Sequence, residues 1–460
     1  MDINLKNIDE FSINDYLGND LHCQCGKVHK VELKRVLIEK DAIKKLPDLL
    51  KEFGYKKALI VEDTHTFKAA GCLVEEILTK AKFSYNKLEF TVNNQDLVPN
   101  EEAVGKLLIN IEKDTQVLIA IGTGTINDLC KFVSVKAGID TIIVATAPSM
   151  DGFASTGAAL IVENLKTTFN AACPKAIIGD INILKNAPMK MILAGFGDIV
   201  GKYSALNDWK LSKVINGEYY CDVIEKMVSN SVKKCIDNTE GIKKREDTAV
   251  NNLMEALVLT GIAMSFAGNS RPASGSEHHI AHYWEMMFLF DGKKAILHGA
   301  KVGIATVLIS KIHEIFAEEN IDFDEAIKNV NSFDEVKWQE EVNKFYKKAA
   351  HEIIDVNNRE KRNSIDERLK RINTIKNNIN KIKEIISDVP STKEIKLILK
   401  KAGAPTNPRE IGIDKETVEN TILMAKEVRT RYTILQFLWD LGLLEKFSHE
   451  IGNYVEKDDI

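Results

Sequence analysis

Residues 117–137 read VLIAIGTGTINDLCKFVSVKA. Val117–Gly122 is an unbroken apolar run, and Thr125–Ala137 carries apolar residues at helical spacing. A continuous apolar strand feeding a helix through a glycine turn is the unit of a parallel α/β sheet. The turn also carries chemistry. Gly122 and Gly124 let the backbone approach an anion, and the following helix start offers free N–H groups and a positive dipole end. Thr123 and Thr125 add hydroxyl donors. Two readings stay open, a pyrophosphate cradle and a plain tight turn, because Asn127 stands where the full G-x-G-x-x-G needs glycine and the strand is not the first one.

The same alternation extends outward. Upstream, Leu33–Ile38, Ala58–Glu62 and Lys87–Val92 read as strands, separated by helical patterns over Asp41–Phe53, up to Lys82, and over Glu101–Glu112. Downstream, Thr141–Ala145 (TIIVA) is another strand. Strands alternating with helices imply a doubly wound α/β parallel sheet. Asp63 closes the strand ALIVE, where a carboxylate can accept from a ribose 2′-hydroxyl or simply cap a helix. Beyond Pro188 helical patterns dominate: Lys190–Leu211, Tyr219–Ile236, Thr248–Phe266, Ser276–Phe290 and Ala300–Phe316. The expected division is a dinucleotide-binding α/β domain over 1–187 and an all-helical domain over 188–460. Val336–Ile386 is highly charged, with Ile372, Ile375, Ile379, Ile382, Ile385 and Ile386 at helical spacing, so a long surface helix or helical hairpin is expected. A Gly/Pro-rich joint, Ala402–Gly412, precedes a last helical stretch.

The chain has 460 residues, 44% hydrophobic and 28% charged, enough for two or three domains with a large core. Its net charge of −5 gives no general attraction to nucleic acid or an anionic membrane, so an anionic substrate needs a local basic site. No apolar run is expected to span a bilayer, and Met1–Asp20 has no basic start followed by an apolar core. Seven scattered cysteines read as reduced thiols in the cytoplasm.

The helical half carries GFGDIVGK (195–202), SGSEHHIAH (274–282) and LHGAKVG (297–303). Asp198, His278 and His298 each lie in a glycine- or serine-rich neighbourhood at a helix end or first turn. One carboxylate and two imidazoles suit a catalytic zinc, nickel or iron(II) with positions left for substrate. His278 and His282 share a helix face, so one can bind metal while the other faces substrate. A second cluster, HCQCGKVH, holds His22, Cys23, Cys25 and His29. Its C-x-C spacing is tighter than in zinc fingers and no second pair follows, so the reading without a metal is preferred.

Taken together, GTGTINDLCK (122–131), APSMDGFAST (147–156), GFGDIVGK, SRPASGSEHHIAHYWE (270–285) and LHGAKVG resemble glycerol-1-phosphate dehydrogenases, especially their bacterial branch. KKAGAPTNPREIGI (400–413) and RTRYTILQFLWDLGLL (429–444) look like that branch too. The family sits in the superfamily of iron-type alcohol dehydrogenases, glycerol dehydrogenase and dehydroquinate synthase. The resemblance implies a Rossmann-like N-terminal domain and a helical, dehydroquinate synthase-like C-terminal domain. It implies NAD or NADP on Gly122, Gly124, Thr125 and Asp128, with Thr146, Ser149 and Ser155 facing the cofactor. Asp151 would face substrate or nicotinamide, and Asp198, His278 and His298 would hold one divalent ion. His282 would stand beside the substrate. Many iron-type alcohol dehydrogenases have a histidine four residues after the metal aspartate; here it is Lys202, which favours a phosphate-bearing substrate. Dehydroquinate synthases usually present Glu in place of that aspartate.

The expected reaction is reduction of dihydroxyacetone phosphate to sn-glycerol 1-phosphate, with Lys202 and Arg271 as phosphate partners and His282 as proton relay. Arg271 can equally be a structural salt-bridge residue. The rivals are a glycerol or polyol dehydrogenase, a dehydroquinate synthase-like lyase, and a nucleotide-binding regulator with a dead site. The helical surface leads us to expect a homo-oligomer.

Overall fold

The computed structural model describes residues 1–92, 96–163 and 165–457. The glycine turn lies at the centre of a six-stranded sheet. Its strands are β1 (Arg35–Glu39), β2 (Lys57–Asp63), β3 (Ser84–Phe90), β4 (Val117–Gly122), β5 (Asp140–Ala145) and β6 (Ala176–Asp180). Their order is β1-β6-β5-β4-β2-β3, and every pairing is parallel. All six residues of β4 are buried, which is why it reads as apolar without alternation. The helix after it, α1 (Gly124–Ala137), ends at Gly138, whose φ of +68° suits the left-handed cap. Strand β6 and an antiparallel hairpin, Gly157–Val162 with Leu165–Asn170, are additions to the expected elements.

The chain forms two compact units. The first comprises Met1–Ile199 and Cys221–Ser270; the second comprises Val200–Tyr220 and Arg271–Ile460. Compactness therefore departs from the 187/188 boundary. Helical texture assigned 221–270 to the helical half, yet its helix Asp247–Ala267 packs within the sheet-bearing unit, where Gly261 meets Ala154 and Asp247 pairs with Lys185. This helix also corrects the expectation of no bilayer-length apolar run: it has 21 residues and a mean hydropathy of 1.3. With 78% of that window buried, it reads as a core helix.

The second unit is helical among its described residues. The charged 336–386 stretch resolves into Glu335–Tyr346, Ala350–Glu360 and Ile365–Ser387, the last kinked at Asn378. Ile372, Ile375, Ile382 and Ile386 are buried, as their spacing predicts. Part of the charge is internal: Arg371 grips Asp440 through Nε at 2.6 Å and Nη2 at 2.8 Å, and Arg368 lies 3.5 Å from the Trp439 ring centroid.

Candidate active site

In the first unit the candidate cofactor residues gather at the carboxyl ends of the parallel strands, where open α/β sheets bind ligands. Gly122 ends β4, and the Thr146 N–H donates to its carbonyl at 3.2 Å. A Cβ on Gly122 would lie 2.9 Å from the Ile126 side chain, so this position needs glycine for close packing of turn on helix. Thr125 is in the first turn of α1, and Ser149 is buried in the loop after β5. Asp63 ends β2 as an N-cap, its Oδ1 accepting from His65 and Thr66 N–H at 2.8 Å each. The capping alternative weighed for Asp63 is thus present in the structure.

Asp128 and Ser155 belong to the scaffold beneath this edge. Lys131, fully buried, donates to the carbonyls of Gly152 at 2.8 Å and Gly157 at 2.6 Å, and to Ser155 Oγ at 3.1 Å. Asp128 lies 3.6 Å from the same ammonium and accepts from Ala159 N–H at 3.1 Å. Burial raises the Asp128 carboxyl above its ordinary value, against the pull of Lys131. This buried lysine, absent from the sequence reading, holds the loop that carries Asp151.

That loop is clamped by glycines. A Cβ on Gly195 would fall 1.9 Å from the Pro148 carbonyl oxygen, and one on Gly261 would fall 2.8 Å from Ala154 Cβ. Only bare backbone lets helix α2 (Met189–Val200) approach Pro148 so closely. The result is a direct link: the Asp151 N–H donates to Asp198 Oδ2 at 3.0 Å. Asp198 is fully buried on α2.

In the second unit, Gly275 and Ser276 start helix α3 (Ser276–Phe290), which carries three histidines. Asp208 fixes that start, its Oδ2 accepting from Ser276 N–H at 2.6 Å. Burial, with Glu277 adding repulsion, pushes the Asp208 carboxyl up to about 7. His278 Nδ1 lies 2.6 Å from Glu277 Oε1. Burial raises Glu277, but the His278 hydrogen bond and charge outweigh it and the net shift is downward.

Helix α4 (His298–Glu318) brings the remaining imidazole. Glu285 bridges two rings: its Oε2 is 3.0 Å from His282 Nδ1 and its Oε1 is 2.8 Å from His298 Nδ1. Lys301 adds a cation 3.2 Å from Oε1. Ring centroids of His278 and His298 are 5.1 Å apart, and those of His282 and His298 are 5.2 Å apart. Each Nδ1 is thus turned to a carboxylate, which fixes the ring and aims Nε2 elsewhere, the usual outer-shell arrangement for ligating histidines. Burial pulls His282 well below 6.5, opposed by Glu285. Sequence reading named the three histidines and missed Glu285, which stands three residues after His282 on the same helix face.

The two basic candidates separate. Lys202 is buried, with Nζ donating to the Ala273 carbonyl at 3.0 Å. Arg271 is committed elsewhere: Nε and Nη2 fork onto Glu218 at 2.8 and 2.6 Å, and Nη1 donates to the Tyr432 carbonyl at 2.7 Å. The salt-bridge alternative weighed for Arg271 is thus present in the structure, with its planar fork engaged on a carboxylate. Arg429, half-buried and attracted by Glu285, is the basic side chain that sequence reading left without a role.

Residues 37–188 match the family model described as iron-containing alcohol dehydrogenase. The glycerol-1-phosphate dehydrogenase [NAD(P)+] of Geobacillus stearothermophilus is 34% identical over 427 residues, covering 92% of this chain and 96% of the relative. The enzyme of that name from Pyrococcus horikoshii is 34% identical over 290 residues, 63% of this chain and 81% of its own. An alcohol dehydrogenase from Oenococcus oeni shares the fold at a TM-score of 0.59 and 15% identity, over 92% of this chain and 98% of that one. Identity and coverage together decide the matter: the chain belongs to the glycerol-1-phosphate dehydrogenase family.

Proposed function

We propose that this chain catalyses the reversible, NAD(P)H-linked and metal-dependent reduction of dihydroxyacetone phosphate to sn-glycerol 1-phosphate. The observation that carries the reading is the histidine cluster of α3 and α4, with His278 tied to Glu277 and His282 and His298 tied to Glu285. Imidazoles held by carboxylates through Nδ1 fit a divalent zinc, nickel or iron ion at Nε2. His278 and His298 supply two ligands. Asp198 is the proposed third, and chain connectivity supports it. It precedes Val200, the first residue of the second unit, by two positions. Within that unit Lys202 is bonded to Ala273, and Ser204 Oγ is 3.2 Å from Ser276 Oγ, beside the first turn of the His278 helix.

When bound, the ion supplies Lewis-acid polarisation of the substrate carbonyl and the nicotinamide supplies hydride. The chain's own residues do the rest. The turn Gly122–Thr125, backed by the start of α1, binds the cofactor pyrophosphate. Asp63 is left to the ribose edge, Thr146 and Ser149 to the nicotinamide side, and Asp151 orients substrate. His282, held through Nδ1 by Glu285, relays a proton from solvent to the reduced C2 oxygen, Nε2 taking one up before passing it on. Lys202 and Arg429 receive the phosphate, a role for which charge-assisted bonds are suited.

Purified protein with added divalent metal should oxidise NADH or NADPH when given dihydroxyacetone phosphate. Turnover of glycerol or dihydroxyacetone with none of the phosphate ester would reject the proposed substrate.

A further inference from the structure

We propose that Cys23, Cys25, His29 and Cys221 form a closed, tetrahedral zinc site that fastens the N-terminal segment to the point where the chain re-enters the first unit. The ligand atoms of these four residues all lie within 4.8 Å of one another. Cys23 Sγ is 3.6 Å from Cys221 Sγ; His29 Nε2 is 3.5 Å from Cys25 Sγ and 3.7 Å from Cys221 Sγ. Zinc bonds of about 2.3 Å to sulfur and about 2.0 Å to nitrogen give tetrahedral edges of roughly 3.8 Å between sulfurs and roughly 3.6 Å from sulfur to nitrogen. The observed separations match those edges. They are far from the sulfur–sulfur distance of about 2.05 Å in a disulfide, and none of the seven cysteines is in a disulfide.

The local backbone is built for this arrangement. Leu21–Cys23 and Val28–His29 pair antiparallel, with Leu21 opposite His29. The turn between them closes through Gly26, at φ +86°, whose N–H donates to the Cys23 carbonyl, and through Cys23 N–H donating to Lys27. Strand alternation puts Cys23 and His29 on the buried face and His22 on the exposed one. The fourth corner is Cys221, fully buried at the start of helix Asp222–Ile236. The His29 ring is stacked on Phe266, with centroids 5.3 Å apart and planes at 21°, which sets its orientation.

Chemistry and topology give the same reading. A three-thiolate, one-imidazole tetrahedron suits zinc, and four protein ligands leave no open position, so the role is structural. Binding releases the three thiol protons to solvent, and the filled site carries a net charge of −1. Strands of two and three residues cannot hold a sheet by themselves, so the segment needs an external fastening. Cys221 is the first residue of the unit's second stretch, so one ion closes a loop of nearly two hundred residues.

The test uses the full chain bearing His278→Ala and His298→Ala, so that total metal reports on the cysteine cluster alone. Expressed with zinc and gel-filtered without chelator, it should retain about one zinc per chain by elemental mass spectrometry. Adding Cys221→Ser should remove that zinc, and adding Cys72→Ser, at an exposed cysteine outside the cluster, should not. Cobalt substitution of the otherwise unaltered protein should give thiolate-to-metal charge-transfer absorption and strong visible bands of a tetrahedral site. Cobalt spectra need no cysteine variant, so they decide the matter even if Cys221→Ser fails to fold. A double-histidine variant without zinc, zinc unaffected by Cys221→Ser, or cobalt protein without a thiolate band would each overturn the proposal.

Discussion

Replacing Gly195 by alanine tests whether backbone contact between α2 and the loop after β5 sets the active geometry. The added Cβ would lie 1.9 Å from the Pro148 carbonyl oxygen and 2.8 Å from its carbon. Real Cβ contacts do not go below 3.0 Å, so helix and loop must part by more than 1 Å. The atoms in the way are backbone, so no side chain can swing aside. Overpacking of this kind costs roughly 1–3 kcal/mol of stability. The functional effect should be larger in proportion, because Asp198 and Asp151, joined by a 3.0 Å hydrogen bond, ride on the two elements being separated. Misplacement of reacting groups by about 1 Å costs on the order of 100-fold in turnover. The matched control is Gly105→Ala, on the helix Glu101–Ile109, where an added Cβ meets nothing within 4 Å. There the substitution should stabilise by roughly 0.5–1 kcal/mol and leave turnover alone. NAD(P)H oxidation with dihydroxyacetone phosphate gives kcat, and denaturant melts give stability. A Gly195→Ala enzyme with unchanged kcat would refute the argument that this contact positions the aspartates.

Four further outcomes follow from the geometry. Glu285→Gln removes the charge shared by His282 and His298 and should weaken divalent-metal affinity roughly 10–100-fold; equal affinity in a metal titration would show that Glu285 does not support a ligand. Glu62 is buried with neither oxygen hydrogen-bonded, and burial, aided by Glu75 and opposed by Lys87, pushes its pKa up to about 8. A carboxyl raised in the folded state favours folding below its unfolded value of 4.5 and loses that benefit as pH rises through about 8. Glu62→Gln should therefore flatten the fall in stability over that window, and parallel curves for variant and parent would count against it. Arg271→Lys should lower stability by about 1–3 kcal/mol through loss of the Glu218 fork, with KM unchanged. Arg429→Ala should raise KM for the phosphate ester about 10-fold or more, and a reversal of these two patterns would restore the original assignment of Arg271.

Much of the α/β half could be read directly because parallel strands buried on both faces leave a simple mark: VLIAIG is buried throughout and has no polar member. Hydrophobic pattern reports that a residue is covered and says nothing about what covers it. That is why 221–270 reads as part of the helical half although the sheet-bearing unit buries its long apolar helix. Arg271 was undecidable for the same reason, since its partner Glu218 lies 53 positions away and contributes no periodicity. The histidines were visible because four fall between positions 278 and 298, whereas Glu285 joins rings on two different helices, and its pairing with His298 is a contact that spacing along one helix does not encode.

The cysteine cluster shows how far pattern can go when strand geometry is added. HCQCGKVH was read as four candidate ligands with poor spacing, which argued against a metal. Period-2 alternation removes His22, because Cys23 and its neighbour cannot face the same side of one strand. Three candidates remain, Cys23 and His29 buried and Cys25 partly so, an incomplete tetrahedron, and such a set requires either no metal at all or one more ligand from a distant part of the chain. The five other cysteines are Cys72, Cys130, Cys173, Cys221 and Cys235, and nothing local distinguishes them. Only the fold does, by returning the chain to the first unit at Cys221 and placing its sulfur 3.6 Å from Cys23.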